Sequence, residues 1–325
     1  MNPFSGNLEE TVGSIGESKL IMLIQEWLGP CSPTSPEGIG DDCALISLPA
    51  IGRQLATVDP VIFGKHFDNS VSPENAAAKL VKRNASDIAA MGGVPNYALL
   101  SLSVPENVRV DWLERFYHGL AQSATSLQIK ISGGDLSHNN DSHLSASLSL
   151  MGWLDENSRP LLRRTAISGD PVFVSGSLGG SLYGKHYSFN PRLKEGQFLS
   201  SQNTRIACLD LSDGLGKDAS SLPAPGFAIE IDASALPISD DAEALSQQTG
   251  HPPAHHAAND GEDYELLFSI PAENEANIVA EWKNRFQTPL TKIGIVVSKE
   301  NQLDPDISLI NNPMNVKLAG YEHLR

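Results

Sequence analysis

The chain has 325 residues, enough for two domains at roughly 100–200 residues each. Hydrophobic residues make up 40% and charged residues 19%, which excludes a disordered or fibrous chain. With 23 Lys+Arg against 39 Asp+Glu the formal net charge is −16, which argues against nucleic acid or an anionic membrane surface as partner. A phosphate-bearing small molecule stays open, because carboxylates bind phosphate through bridging Mg²⁺.

The first 15 residues are polar and Gly-rich and predict a mobile end. They carry acids and no basic stretch, so no signal peptide is expected. Residues 17–28 place Leu20, Ile21, Leu23, Ile24, Trp27 and Leu28 on one helical face, and Gly29-Pro30 stops the helix. CALISL and QLATVD read as short strands. Residues 73–91 start with Pro and end at Gly92-Gly93, the pattern of a helix. NYALLSLSV is a strand, 108–127 a helix, and KISG and HLSASLSLMGWL are strands, the second alternating clearly. This order is mixed α/β rather than strict βαβ, so a doubly wound parallel sheet is disfavoured. The polar stretch DENSRP sets a boundary near residue 155, giving domains 1–155 and 156–325. The second half follows with strand DPVFVSG, a helix near 178–187, strand IACLDL, a helix after Asp213 and strand FAIEID. A helix near 240–249, strand YELLFSI, helix 273–286 and strand TKIGIVV complete it. HPPAHH (251–256) reads as a solvated loop, since no Cys or acidic ligand is spaced with it as a metal site needs.

Cys31, Cys43 and Cys208 are odd in number and widely spaced, which fits a reducing, cytoplasmic compartment better than a disulfide framework. No apolar run approaches the roughly 20 residues of a membrane span.

Six acidic segments recur at expected strand ends or helix starts: Gly40-Asp41-Asp42, Thr57-Val58-Asp59, Ser86-Asp87, Gly133-Gly134-Asp135, Asp210-Leu211-Ser212-Asp213 and Gly261-Glu262-Asp263-Tyr264. Any one of them can be a turn or a helix cap. Converging, they would repel one another unless cations sat between them, and Mg²⁺ takes such oxygen ligands. Asp87 lies in a helical pattern beside Leu80, Val81 and Ile88, where a carboxylate needs a partner or a metal unless it faces solvent. There is no GxxxxGK[ST], no protein-kinase signature, no Gly-x-Ser-x-Gly and no His-Glu-x-x-His. GDPVFVSGSLGGS (169–181) is a strand running into a Gly-rich turn, a weak signal for an anion cradle.

The ordered set GIGDDCAL (38–45), TVDPVIFGKHF (57–67), KRNASDIAAMGGVP (82–95), GGD (133–135), RRTAISGDPVFVSGSLG (163–179), LDLSDGL (209–215), DGEDYELLF (260–268) and GYEH (320–323) resembles the thiamine-monophosphate kinase family. That family lies within the aminoimidazole-ribonucleotide-synthetase-like ATP-binding superfamily, and the likeness runs from about residue 17 to the end. It implies phosphoryl transfer from ATP to thiamine monophosphate with several Mg²⁺ ions. It implies an N-terminal half-barrel domain that pairs with a second subunit and a C-terminal α+β domain. By position it implies Asp42, Asp59, Asp87, Asp135 and Asp210 as magnesium ligands, with Thr57 and Asp213 as further ones. Tyr117, Gly134, Asp135, Arg164 and Ser212 are implied as ATP contacts, and His66, Glu262 and Tyr321 as contacts to thiamine phosphate. No residue is implied as a covalent catalyst.

The chain departs from the family pattern at Val58 and Pro60, where hydroxyl residues are usual, and at Leu136 after GGD. Pro60 also removes a backbone N–H. Two other readings compete: another ATP-dependent synthetase or kinase of the same superfamily, and a non-catalytic nucleotide- or thiamine-binding protein. The hydrogenase-maturation and selenide relatives are expected to show a catalytic Cys near the start or a Cys-ended tail. Here the chain ends YEHLR, and Cys31 lies in a Pro-rich loop.

Overall fold

The computed structural model describes residues 1–15, 17–34, 37–39, 52–139, 143–301 and 305–321. Asp42, Cys43 and the strand expected at CALISL lie outside the described residues. The chain divides into two compact units, Met1–Ile88 with Val94–Glu156, and Ala89–Gly93 with Asn157–Arg325.

The first unit contains α1 (Glu17–Leu28), β1 (Arg53–Ile62), most of α2 (Pro73–Ala90), β2 (Val94–Val104), α3 (Val110–Ser126), β3 (Lys130–His138) and β4 (Ser145–Leu154). Pro73 opens α2 where its missing N–H costs nothing, and the Ser72 hydroxyl accepts the Asn75 N–H at 3.2 Å. Among the described residues the sheet order is β1-β4-β2-β3, with β4 antiparallel to both neighbours and β2 parallel to β3 across α3. The period of two sorts the strands by face. Leu148 and Leu150 on β4 and Leu100 and Leu102 on β2 are buried with the apolar stripes of α2 and α3. Each such side chain contributes about 2 kcal/mol relative to exposure. The alternate positions form an open face: Val58 is 61% exposed and Leu99 38%.

The second unit contains β5 (Pro171–Ser175), α4 (Lys185–Ser188), α5 (Leu193–Ser200), β6 (Ala207–Asp210), α6 (Leu215–Asp218) and β7 (Phe227–Asp232). It continues with α7 (Asp240–Thr249), α8 (Pro253–Asn259), β8 (Leu266–Ser269), α9 (Glu275–Arg285), β9 (Leu290–Ser298) and β10 (Ile307–Ile310). Its sheet runs β10-β7-β9-β5-β8-β6. Successive β5 residues serve opposite cores. Val172 and Val174 pack with Leu215 of α6 and Ala257 of α8, while Phe173 packs with Phe198 of α5 and Trp282 of α9.

Four local expectations are corrected. The first 15 residues are tied down: Phe4 and Thr11 bridge to Val108 and Arg109, and the Phe4 ring meets Phe63 edge-on at 5.4 Å. The helix expected near 178–187 is a short 3-10 turn and the four-residue α4, because Gly179, Gly180 and Gly184 take positive φ. HPPAHH is no solvated loop: Pro253 starts α8, and His256 is buried between Asp260 (3.1 Å) and the Thr249 hydroxyl (2.8 Å). Helix α5 was not expected, since Gly196 interrupts its pattern. A Cβ there would lie 2.0 Å from the Ala89 carbonyl oxygen, so the glycine permits close packing.

Candidate functional site

In the first unit, alternation along β1 turns Thr57 and Asp59 toward α2, and helical spacing brings Arg83, Asn84 and Asp87 to meet them. The Thr57 hydroxyl donates to Asp87 Oδ2 at 2.5 Å. Arg83 Nε donates to Asp59 Oδ2 at 3.0 Å, and its Nη1 donates to the Pro60 carbonyl at 2.6 Å. The Asn84 amide donates to the Leu80 carbonyl at 2.8 Å and reaches that of Asp59 at 3.4 Å. Two carboxylates and a hydroxyl are thus collected between one strand and one helix. Arg83 and Asn84 are the site residues that sequence reasoning missed, though both sit inside the KRNASD motif.

Asp135 is not part of this group. It is exposed on β3 in register with Ser101, on the open face, and its Oδ2 accepts the Ser137 hydroxyl at 2.9 Å. Three strand spacings, about 14 Å, separate β1 from β3. Gly134 is required by close approach, because a Cβ there would stand 1.8 Å from the Leu100 carbonyl oxygen. The His66 Nδ1 accepts the Ile62 N–H at 3.1 Å, so neutral His66 carries its proton on Nε2, as a donor. Its carbonyl accepts the Lys79 ammonium at 2.7 Å. Tyr117 is buried in α3 against Trp27, with ring centroids 6.0 Å apart, and burial pushes its phenol pKa up.

In the second unit, Asp210 ends β6 almost fully buried, with the Arg163 guanidinium 3.9 Å away. Arg164, the expected nucleotide contact, is exposed and holds a positive φ of 58°. The turn after β6 is fixed from below: Asp218 Oδ2 accepts the N–H of Ser212 at 2.9 Å and of Asp213 at 2.8 Å. Burial, with the charges of Asp210 and Asp213, pushes the Asp218 carboxyl up to about 7.

The 260–264 segment is bonded to this turn. Glu262 N–H donates to the Ser212 carbonyl and Tyr264 N–H to that of Leu211, both at 2.8 Å. Glu262 and Tyr264 hold positive φ of 65° and 51°, a strained backbone for non-glycine residues. Between them Asp263 is buried, taking the Gly179 N–H on both oxygens at 3.0 and 3.1 Å. Burial pushes its carboxyl up to about 7 against the nearby Lys185 ammonium. The Gly180 N–H donates to Asp260 at 2.9 Å. The Gly-rich turn therefore serves the protein's own carboxylates, which corrects its reading as an anion cradle. Beneath it Glu265 is held by Arg192 through two 2.7 Å bonds and by the Ser175 hydroxyl. The Glu262 carboxylate lies 3.6 Å from His186 Nδ1.

In the first unit Thr57, Asp59 and Asp87, and in the second unit Asp210 and Asp213, offer only oxygen donors from their side chains, the hard kind that Mg²⁺ prefers. Among the described residues no three His, Cys, Asp or Glu side chains are grouped to hold an ion by themselves. One or two carboxylates completed by phosphate oxygens and water is the usual Mg²⁺ arrangement, so the residues of each unit, taken by itself, fit such an ion.

Residues 40–154 match the family described as AIR synthase related protein, N-terminal domain. The chain is 19% identical to a solved structure of HypE from E. coli, with a TM-score of 0.73 over 95% of this chain and 98% of that one, a likeness of fold alone. It is 30% identical to the structure of AaThiL complexed with AMPPCP and TMP, with a TM-score of 0.71 over 96% and 98% of the two chains. It is 36% identical over 277 residues to the thiamine-monophosphate kinase of Rhodopirellula baltica, covering 82% of this chain and 85% of that one. The chain belongs to the thiamine-monophosphate kinase family.

Proposed function

We propose that this protein transfers the γ-phosphoryl group of ATP to thiamine monophosphate, giving thiamine diphosphate and ADP. The observation that carries the reading is the 36% identity to a thiamine-monophosphate kinase over 277 residues. The relative holding AMPPCP and TMP supports the same substrate pair.

A phosphate monoester is largely dianionic near neutral pH, since its second pKa is about 6. Its oxygen therefore attacks the γ-phosphorus directly. The bond to the β,γ-bridging oxygen breaks and ADP leaves, with no phosphoenzyme. Asp59, Asp87 and Thr57 in the first unit, and Asp210 and Asp213 in the second, would hold Mg²⁺, and Asp42 and Asp135 are carried as further ligands from the resemblance. Bound Mg²⁺ neutralises phosphate charge, which lets two polyanions approach. Ser212, Gly134 and Arg164 are assigned to ATP. His66, Glu262 and Tyr321 are carried from the resemblance as contacts to thiamine phosphate, and an aromatic ring such as that of Tyr321 suits a cationic thiazolium. Tyr117 is left out of the assignment because its ring is core.

The open sheet face with Val58 and Leu99 supports a homodimer built by pairing two first units. No helix of the described residues is long and apolar enough to cross a membrane. We assign the reaction to the cytoplasm, a reading supported by the buried, disulfide-free Cys31 and Cys208.

Direct transfer predicts intersecting initial-rate patterns and no label on protein after incubation with γ-labelled ATP alone. Ping-pong patterns, or retained label, contradict it.

A further inference from the structure

Every backbone polar group of Leu211, Ser212 and Asp213 is taken within the second unit. The Leu211 N–H donates to the Glu265 carbonyl at 2.9 Å, and the Leu211 carbonyl accepts the Tyr264 N–H at 2.8 Å. The Ser212 carbonyl accepts the Glu262 N–H at 2.8 Å, and the Asp213 carbonyl accepts the Tyr321 N–H at 3.0 Å. The two amides that remain, those of Ser212 and Asp213, both donate to Asp218 Oδ2, at 2.9 and 2.8 Å. Gly214, at a φ of 102°, turns the chain into α6, and the last residue of that helix comes back to the turn it follows.

We infer that Asp218 is a positioning residue: by taking both amides it fixes the turn, so that the segment meets nucleotide and Mg²⁺ through the Ser212 hydroxyl and the Asp213 carboxylate and not through its N–H groups. This rests on the reading of Ser212 as an ATP contact and of Asp213 as a magnesium ligand. A turn whose amides point outward is a common protein cradle for phosphate. Here both amides are spent on an internal carboxylate, which leaves the side chains as the groups that face a ligand. Removing that carboxylate strands two half-buried N–H groups without an acceptor and lets the turn re-aim them.

The test is calorimetric binding of AMPPCP with Mg²⁺ to the wild type, Asp218→Asn, Asp218→Ala, Ser212→Ala and the Asp218→Ala, Ser212→Ala double variant. Asparagine keeps an oxygen that accepts both amides, and alanine keeps none. We expect Asp218→Ala to weaken binding about tenfold and Asp218→Asn to stay within about threefold of wild type. The Asp218→Ala loss should shrink when it is made on Ser212→Ala, because the two act through one contact. Hydrogen exchange should quicken at residues 211–214 in Asp218→Ala and stay unchanged in β8, which separates release of the turn from loss of the fold. Wild-type affinity in folded Asp218→Ala or in Ser212→Ala, or an undiminished loss in the double variant, overturns the role of Asp218. A loss of about tenfold or more in folded Asp218→Asn also overturns it, since charge and not an acceptor would then be what matters. That variant decides the matter by itself if the alanine variant does not fold. A wild type that binds no nucleotide overturns the functional reading itself, and this inference with it.

Discussion

At the scale of single residues, a half-buried carboxylate can be structural or chemical, and substitution tells the two apart. Asp87 takes the Thr57 hydroxyl, and an asparagine can accept the same bond. Asp87→Asn is therefore expected to keep the melting temperature within a few degrees. It should lower kcat by two orders of magnitude or more, because metal-mediated charge stabilisation supplies several kcal/mol. Turnover close to wild type at ordinary Mg²⁺ would remove Asp87 from the machinery. Gly134 gives the opposite kind of prediction. A Cβ 1.8 Å from the Leu100 carbonyl oxygen forces β3 away from β2. Gly134→Ala should cost about 1–3 kcal/mol of stability, read by urea denaturation, whatever its effect on nucleotide. An unchanged midpoint would mean that the strand relaxes freely there.

At the scale of elements, the 262–264 segment stores strain that its anchors must offset. Asp263 is the deepest anchor, and its carboxyl lies at about 7 when folded against an ordinary 3.8. The folded state thus keeps a proton that the unfolded chain gives up. The stability from that protonation is complete below about pH 4 and is lost as pH rises to about 7. The melting-temperature difference between wild type and Asp263→Asn should accordingly change between pH 5 and pH 7.5, with wild type losing ground as pH rises. A difference that stays constant across that range contradicts the assignment. The same region shows how far the sequence could be read. Helices α1, α2, α3 and α7 announce themselves through apolar period and punctuation. The motif loops were recognisable as acidic turns, and β1 and α2 do meet there, through Thr57 with Asp87 and Asp59 with Arg83. Other features depended on partners far along the chain. Asp135 was grouped with Asp59 from motif order, but strand register sets them on opposite faces. Helix α8 hides behind polar letters because its buried face is small, with Ala257 and Ala258, and its His256 is satisfied by Asp260 and Thr249. Arg163 was not singled out, since nothing local tells that it turns toward Asp210.

At the scale of the whole molecule, assembly and product are the two testable properties. The exposed Val58 and Leu99, on the open sheet face that also carries Pro60, Ser147, Ser149 and Asp135, predict an isologous dimer. Light scattering at micromolar concentration should give twice the 34.8 kDa chain mass, and Val58→Asp should shift it toward one. A wild-type monomer would refute the pairing. Purified protein incubated with ATP, Mg²⁺ and thiamine monophosphate, and followed by chromatography, should form one thiamine diphosphate for each ADP, with no ADP when thiamine monophosphate is omitted. ADP appearing at the same rate without thiamine monophosphate, or no thiamine diphosphate from folded protein, would contradict it.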